Sequence, residues 1–134
     1  PEVDIMISRD TDSRLNSREA AAVTQWLEMG KRFHIMRDHP HHQTQILGGM
    51  WGVRGDILST MEDLVDECKK GNYWQVDQDF LKEKIYPVIE NYAHVNDEFF
   101  QKVAFPTKRK GKLFVGQAYN ENDQPLHPEH MEEI

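Results

Sequence analysis

Short apolar runs alternate with amphipathic segments along the first half of the chain, which predicts alternating strands and helices. Val3–Ile7 is rich in β-branched and large apolar residues, as a buried strand would be. Asn16 predicts a helix start, because apolar residues then recur at helical spacing until Gly30. Phe33–Met36 predicts a second strand. The glycine-rich run Ile46–Val53 predicts a strand, or a bend approached closely by backbone or ligand.

The same alternation continues through the second half. Asp56 predicts the cap of an amphipathic helix, and Asp77 predicts the cap of a shorter helix that ends near Pro87. Val88–Tyr92 and Leu113–Gly116 predict two further strands.

These elements predict a single α/β domain over residues 1–119, with a mixed sheet flanked by helices. Residues 120–134 form a polar, acidic extension, which we expect to be loose or docked on the surface.

Composition narrows the function classes. The chain has 134 residues, 38% hydrophobic and 29% charged, which suits one domain with a core. Its net charge of -7 argues against a dedicated nucleic-acid binder. Cys68 is the single cysteine, which excludes an internal disulfide and a cysteine-rich zinc site. No apolar run reaches the roughly 18 residues of a membrane span, and no signal peptide is recognisable, so the compartment stays undetermined.

The first candidate site is the Asp-x-Asp sequence that follows the first strand. Asp10 and Asp12 are two residues apart, so in an extended segment their side chains point the same way. Ligands bind at the carboxyl ends of strands in open α/β sheets. Two carboxylates together with a substrate diphosphate are a common way to hold magnesium or manganese. The alternative is a solvated turn, since Asp-x-Asp also favours turns and caps.

Further motifs follow in an order that resembles a known family. They are Ser8-Arg9-Asp10-Thr11-Asp12-Ser13-Arg14, His34-Ile35-Met36-Arg37-Asp38-His39-Pro40, Gly48-Gly49-Met50-Trp51-Gly52, Asp77-Gln78-Asp79-Phe80-Leu81 and the later His94. This order resembles the metal-binding half of GT-A glycosyltransferases of the glycogenin-like and lipopolysaccharide galactosyltransferase-like type, and most closely a group of uncharacterised predicted glycosyltransferases. The chain departs from that pattern at Lys82, where the family has Asn, and after His94, where the usual glycine and lysine are missing.

The resemblance implies a partial GT-A fold that begins at the Asp-x-Asp strand, without the strands that bind the nucleotide base. It implies a metal-dependent enzyme that moves a sugar from a nucleotide-diphosphate donor to a glycan, lipid or protein hydroxyl, with retention. Asp10, Asp12 and His94 would hold Mn²⁺ or Mg²⁺, which acts as Lewis acid and template. Arg9 and Arg14 would bind the donor phosphates.

The other implied roles concern the sugar and the acceptor. Gln78 and Asp79 would stabilise the oxocarbenium-like transition state, and Asp38 would be the general base if the enzyme inverts. The remaining substrate-binding candidates are Arg37, His39, Gly48, Gly49, Trp51 and Asp77.

Several candidates also have ordinary structural explanations. Asp77 is equally suited to a helix cap, and Trp51 to core packing or to stacking on a sugar. His39, His41 and His42 suit a zinc cluster less well than a solvated or acceptor-facing loop, because the spacing around Pro40 is tight. Residues 108–112, with four positive charges, suit a solvated turn or a lid over the diphosphate.

Two other functions stay open at this point. The same carboxylates and histidines would serve a different divalent-metal phosphoryl or phosphodiester enzyme. A non-catalytic carbohydrate- or protein-binding module would fold normally without metal affinity. We also expect that a sheet edge left exposed would support a homodimer.

Overall fold

A four-stranded mixed sheet lies at the centre of the molecule. The computed structural model describes residues 4–55, 63 and 76–134. In chain order the elements are β1 (Ile5–Arg9), α1 (Ser17–Met29), β2 (Phe33–Arg37), β3 (Met50–Arg54), α2 (Val76–Phe80), a π-helical turn (Leu81–Ile85), α3 (Tyr86–Ile89), a 3-10 turn (Glu90–Tyr92), β4 (Ala93–Asp97) and α4 (Glu129–Glu132). The class is therefore mixed α/β, as predicted. The helix predicted from Asp56 lies outside the described residues.

The strand order β1-β3-β2-β4 fixes where the strand ends meet. β3 is antiparallel to both β1 and β2, while β2 and β4 are parallel. β1, β2 and β4 therefore run in the same direction, and their carboxyl ends share one edge of the sheet. β1 extends to Arg9, two residues beyond the predicted strand, so Asp10 follows it directly.

Helix α1 covers one face of the sheet and begins and ends at the predicted residues. The Asn16 side chain accepts a hydrogen bond from the Glu19 backbone N–H, and Gly30 ends the helix in the left-handed conformation. Trp26 is fully buried and packs over Gly52, where a side-chain Cβ would come within 3.1 Å of the indole ring. The helix is thus packed tightly against β3.

The segment from α2 to the 3-10 turn covers the other face. Its buried residues Leu81, Ile85 and Ile89 recur every four residues and pack on apolar side chains of the sheet, among them Ile35 and Trp51. None of the helices within the described ranges is long and apolar enough to cross a membrane.

Two predictions about this segment were wrong. Val88–Tyr92 is helical rather than a strand, and the strand that pairs with β2 begins at Ala93. The helix does not end near Pro87, because the Tyr86 backbone N–H bonds to the Leu81 carbonyl in a widened turn and Pro87 lies in the first turn of α3, which begins at Tyr86. A proline is tolerated in a first helical turn, where its missing N–H has no partner to lose.

Two predicted strands are shorter or absent. Ile46–Gly49 is a bend, and β3 begins only at Met50. Leu113–Gly116 forms a turn rather than a strand, with Gly116 at φ 83°. A left-handed residue interrupts strand geometry, so Phe114 and Val115 are buried without joining the sheet, while Leu113 is exposed.

The fold contains a neutral buried imidazole that makes stability depend on pH. His34 stacks on Trp26, its Nε2 lies 2.7 Å from Asn96 Oδ1, and burial lowers its pKa from 6.5 to about 4. The unfolded chain then binds more protons than the folded one, so stability is complete above pH 6.5 and falls as the pH drops toward 4. We expect a loss of about 2 kcal/mol from this group at pH 5 relative to pH 8.

Urea denaturation of the wild type and of His34→Gln at both pH values checks this expectation. The variant is less stable at pH 8, but its stability should change less between pH 8 and pH 5. An equal change in the two proteins would contradict the role of His34.

Candidate functional site

A cleft of about 300 Å³ opens at the carboxyl end of the sheet. Its walls come from the residue after β1, the bend before β3 and the first turn of α2. The lining residues are Asp10, His42, Leu47, Gly48, Gly49, Met50, Asp77, Gln78 and Gly116. Three motifs separated along the chain, namely the Asp-x-Asp sequence, the glycine-rich bend and Asp77-Gln78, therefore meet at this cleft.

Asp10 and Asp77 line the cleft, whereas Asp12 does not. The extended conformation predicted for the Asp-x-Asp sequence is wrong, because residues 10–13 form a turn in which the Ser13 backbone N–H donates to the Asp10 carbonyl. Partial burial raises the pKa of Asp10 above its usual 3.8, and the neighbouring carboxylates of Asp12 and Asp77 raise it further. The three do not form a set in which all ligand atoms lie within 4.8 Å of one another. Two of these carboxylates with oxygen atoms of a bound ligand would suit a hard divalent cation.

Gly49 determines where the Asp10 carboxylate can lie. A Cβ on Gly49 would stand 2.4 Å from Asp10 Cγ and 2.6 Å from both carboxylate oxygens. Contacts this short do not occur between real side chains, so only glycine admits the carboxylate against the bend. The adjacent Gly48 has ordinary space, with Gln78 Oε1 at 3.4 Å and Asp77 Oδ2 at 3.7 Å from its Cβ position.

Gly49→Ala is therefore expected to move the Asp10 carboxylate and to weaken divalent-cation binding by about tenfold or more. Losses of this size are typical when a residue that orients a metal ligand is changed. Gly48→Ala is the matched control, and it should change cation affinity far less. Calorimetric titration of Mn²⁺ into both variants measures the difference. Equal affinities would show that Asp10 does not bind the ion from this position.

The Gln78 side chain holds the bend in place. Its Oε1 accepts the Gly48 backbone N–H at 2.8 Å, and its Nε2 donates to the Ile46 carbonyl at 2.6 Å. The predicted role of Gln78 at the sugar is therefore joined by a positioning role that the sequence did not suggest. Asp79, in the same helix, is half-buried and does not line the cleft. Asp77 lies in the first turn, because the helix begins at Val76.

His42, which the sequence placed in a solvated or acceptor-facing loop without assigning it to a site, lines the cleft. Its Nδ1 accepts the Asp38 backbone N–H at 2.9 Å, so the neutral ring carries its proton on Nε2. Burial, with the nearby His39, lowers the pKa of His42 to about 3, and the ring is therefore neutral at physiological pH. The described residues offer no hydrogen-bond partner to Nε2–H, so the ring, which lines the cleft, keeps a neutral donor. No sequence signal separates His42 from the other histidines of this loop.

The contacts of Asp38 are those of a buried ion pair that stabilises the fold, and they do not suit the predicted role of general base. It is fully buried, and Arg18 donates to both of its carboxylate oxygens at 3.0 Å. Arg109 and the Val115 backbone N–H donate further hydrogen bonds at 2.7 Å and 2.8 Å. A carboxylate with four such donors cannot take a proton from an acceptor hydroxyl without breaking them. Because Arg109 is held in this network, the basic run at 108–112 is anchored at its second residue.

The three arginines predicted to bind substrate, of which Arg9 and Arg14 were predicted to bind its phosphates, are also engaged. Arg37 is buried and bonds to Asp97 at 3.0 Å and to the backbone carbonyls of Thr44 and Gln45. Arg9 pairs with Glu19 beneath α1. Arg14 is more exposed, and it pairs with Asp123 of the C-terminal extension at 2.8 Å. Among the described residues, none of the three lines the cleft.

Trp51 and His94 lie away from the cleft. Trp51 is 7% exposed and belongs to the core beneath the sheet. His94 lies on β4, at one edge of the sheet, and β1 lies at the other edge. Three strand spacings, or about 14 Å, separate the two strands. His94 Nε2 is 3.0 Å from Gln25 Oε1. His94 therefore cannot join Asp10 and Asp12 around one ion in this arrangement.

The remaining predicted residue, His39, anchors the C-terminal extension. It is buried, its Nδ1 accepts the His41 backbone N–H at 3.0 Å, and its Nε2 donates to the His130 carbonyl at 2.8 Å. Both ring nitrogens are thus used, and the extension is docked on this loop. Five of the seven histidines of the chain gather here, namely His39, His41, His42, His127 and His130.

Comparison of the chain with protein-family models, with curated proteins and with solved structures found no match. The fold and the site define a mixed α/β protein with an acidic, glycine-walled cleft at the carboxyl edge of its sheet.

Proposed function

We propose that the chain is the metal-binding part of a glycosyltransferase, which moves a sugar from a nucleotide-diphosphate donor to an acceptor hydroxyl with retention. The observation that carries the proposal is the meeting of Asp10 and Asp77 over the Gly48-Gly49 bend, with Asp12 close enough to raise the pKa of Asp10. A carboxylate whose ionisation is opposed in this way favours a bound cation.

The donor set of the cleft fits Mn²⁺ or Mg²⁺. Asp10 and Asp12 would hold the ion, and Asp77 would add negative charge beside it, whereas His94 would take no part. When bound, the ion supplies Lewis-acid stabilisation of the departing diphosphate. All the protein ligands in this proposal are carboxylate oxygens, as hard divalent cations prefer.

The chain's own residues would orient the donor. Gln78 fixes the Gly48-Gly49 bend, so that a ligand can approach the backbone closely. The Nε2–H of His42 would donate a hydrogen bond to a donor oxygen without adding positive charge, since the ring is neutral. Asp38 is saturated by its arginines and would not act as the base of an inverting reaction, which is why the proposal specifies retention.

The test is calorimetric titration of Mn²⁺ into the chain, alone and with pyrophosphate or each of several nucleoside diphosphates. We expect pyrophosphate to strengthen Mn²⁺ binding, because the proposed site contacts the diphosphate. Further strengthening by one nucleoside diphosphate would identify the base of the donor. A folded chain without affinity for Mn²⁺, with or without pyrophosphate, would contradict the proposal and favour a binding module.

A second assay separates the proposal from the other metal enzyme. The chain is incubated with Mn²⁺ and either intact nucleotide-sugars or p-nitrophenyl phosphate. Binding or slow hydrolysis of a nucleotide-sugar supports a glycosyltransferase. Turnover of p-nitrophenyl phosphate without binding of any nucleotide-sugar would overturn the proposal in favour of a phosphoryl-transfer enzyme.

A further inference from the structure

A group of histidine and glutamate side chains lies outside the cleft, where the C-terminal extension meets the loop after β2. Within the extension, His127, Glu129 and His130 each offer one ligand atom, and these three atoms all lie within 4.8 Å of one another. His127 Nδ1 is 3.1 Å from Glu129 Oε1, and the rings of His127 and His130 have centroids 4.9 Å apart. The three side chains therefore already converge.

We propose that His127, Glu129 and His130 form a binding site for a divalent transition-metal ion of the zinc class. Two imidazoles and one carboxylate are a ligand set that zinc uses, with a fourth position left for water. Ligands at zinc distances in tetrahedral geometry lie about 3.3 Å apart, close to the separation of His127 Nδ1 and Glu129 Oε1. An ion could enter between them with only a small movement.

The surrounding contacts hold this set in place. The backbone carbonyl of His130 accepts a hydrogen bond from His39 Nε2, which ties the middle of the site to a buried ring. Lys112 pairs with Glu132 at 3.0 Å on α4. His41, whose ring centroid is 5.1 Å from that of His130, pairs with Glu133 at 2.7 Å.

The second compact group, His39, His41 and Glu133, is the weaker candidate. Both nitrogens of His39 are engaged in hydrogen bonds, so it has no lone pair free for an ion. In contrast, the described structure shows no hydrogen bond to the His130 ring nitrogens, and the His127 ring bonds only through Nδ1 to Glu129. The ligand atoms of the proposed site are thus available without disturbing the fold.

The chemistry of these ligands separates the proposed site from the cleft. Imidazole favours zinc, nickel and copper, whereas the carboxylates of the cleft favour magnesium and manganese. Zn²⁺ bound here would join residues of the extension alone, so it would add rigidity to the segment that packs on His39.

The test is a competition assay in which the full chain takes Zn²⁺ from a chromophoric chelator. We expect one ion per chain, and we expect His127→Ala/His130→Ala to lower the Zn²⁺ affinity by more than the roughly 100-fold that loss of an outer partner can cost. Glu129→Gln keeps the shape of the side chain and should also weaken binding. Glu121→Gln, an exposed glutamate of the same extension outside the group, is the matched control and should leave affinity unchanged.

Two readouts make the outcome decisive. When Zn²⁺ is added, the NMR signals of the His127 and His130 rings should shift, whereas the signals of the His34 ring should not change. Unchanged affinity in the double variant would overturn the proposal. So would loss of Zn²⁺ binding in Asp10→Asn/Asp12→Asn, which would place the ion in the cleft. Retention of Zn²⁺ binding in that cleft variant would support a separate site, whatever the outcome for manganese.

Discussion

Asp38→Asn is expected to lower the free energy of unfolding by about 3–5 kcal/mol, the range for breaking a buried ion pair by removing one partner. Asp38 is fully buried and binds two arginines. An asparagine would keep the shape but could not neutralise them, and its amide N–H₂ would face donors rather than acceptors. Among the carboxylates of the described residues, Arg18 and Arg109 would then pair with Glu98 alone, which is partly exposed.

Denaturation with urea at pH 7 measures this loss, and Asp123→Asn provides the matched control. Asp123 pairs with Arg14 at 2.8 Å, but both side chains are exposed. An exposed pair contributes about 0–1 kcal/mol, so the same substitution should have little effect there. Similar losses in the two variants would show that the network around Asp38 does not stabilise the fold.

Local signals explain why the first half of the fold was predictable. Helix α1 has a capping asparagine and a terminal glycine, and strand β2 is a short apolar run, so both were predicted nearly to the residue. The segment before β4 was not. Val88 and Ile89 favour strands by propensity, but Ile89 continues the four-residue spacing of Leu81 and Ile85 on the core. Packing outweighs propensity in such a case.

The site was predictable only where its residues are held by backbone geometry. Asp10, Gly49 and Gln78 meet because one follows a strand, one lies in a bend and one opens a helix. Arg37 and Asp38 look like exposed ligand-binding residues in the sequence, because nothing there shows the partners that bury them. Those partners lie as far as 77 residues away along the chain, as Val115 does from Asp38.

The C-terminal extension shows the same limit. Its polar, acidic sequence predicts nothing about the histidines that it brings to the loop after β2. The hydrogen bond from His39 to the His130 carbonyl spans 91 residues. Long-range pairing of this kind is a property of the folded chain, which is why the docking of the extension on His39 could be inferred only from the structure.

Asp10→Asn/Asp12→Asn is expected to lower the affinity for Mn²⁺ by more than about 100-fold, because both proposed ligands lose their charge. Calorimetric titration measures the loss. Asp4→Asn is the matched control, since Asp4 is an exposed aspartate at the opposite end of β1. Equal affinities in the double variant and in the control would place any bound Mn²⁺ elsewhere.

The stability of the same double variant distinguishes a cation site from a structural turn. Partial burial and neighbouring carboxylates raise the pKa of Asp10, so the folded chain binds its proton more tightly than the unfolded chain. Ionisation of Asp10 therefore costs stability, which is lost as the pH rises from 3.8 through the raised pKa. Removing the charge should leave the metal-free protein at pH 7 as stable as the wild type or more stable. Added Mn²⁺ should raise the melting temperature of the wild type but not that of the double variant. A turn stabilised by its aspartates would behave in the opposite way, since the variant would be less stable with and without the ion.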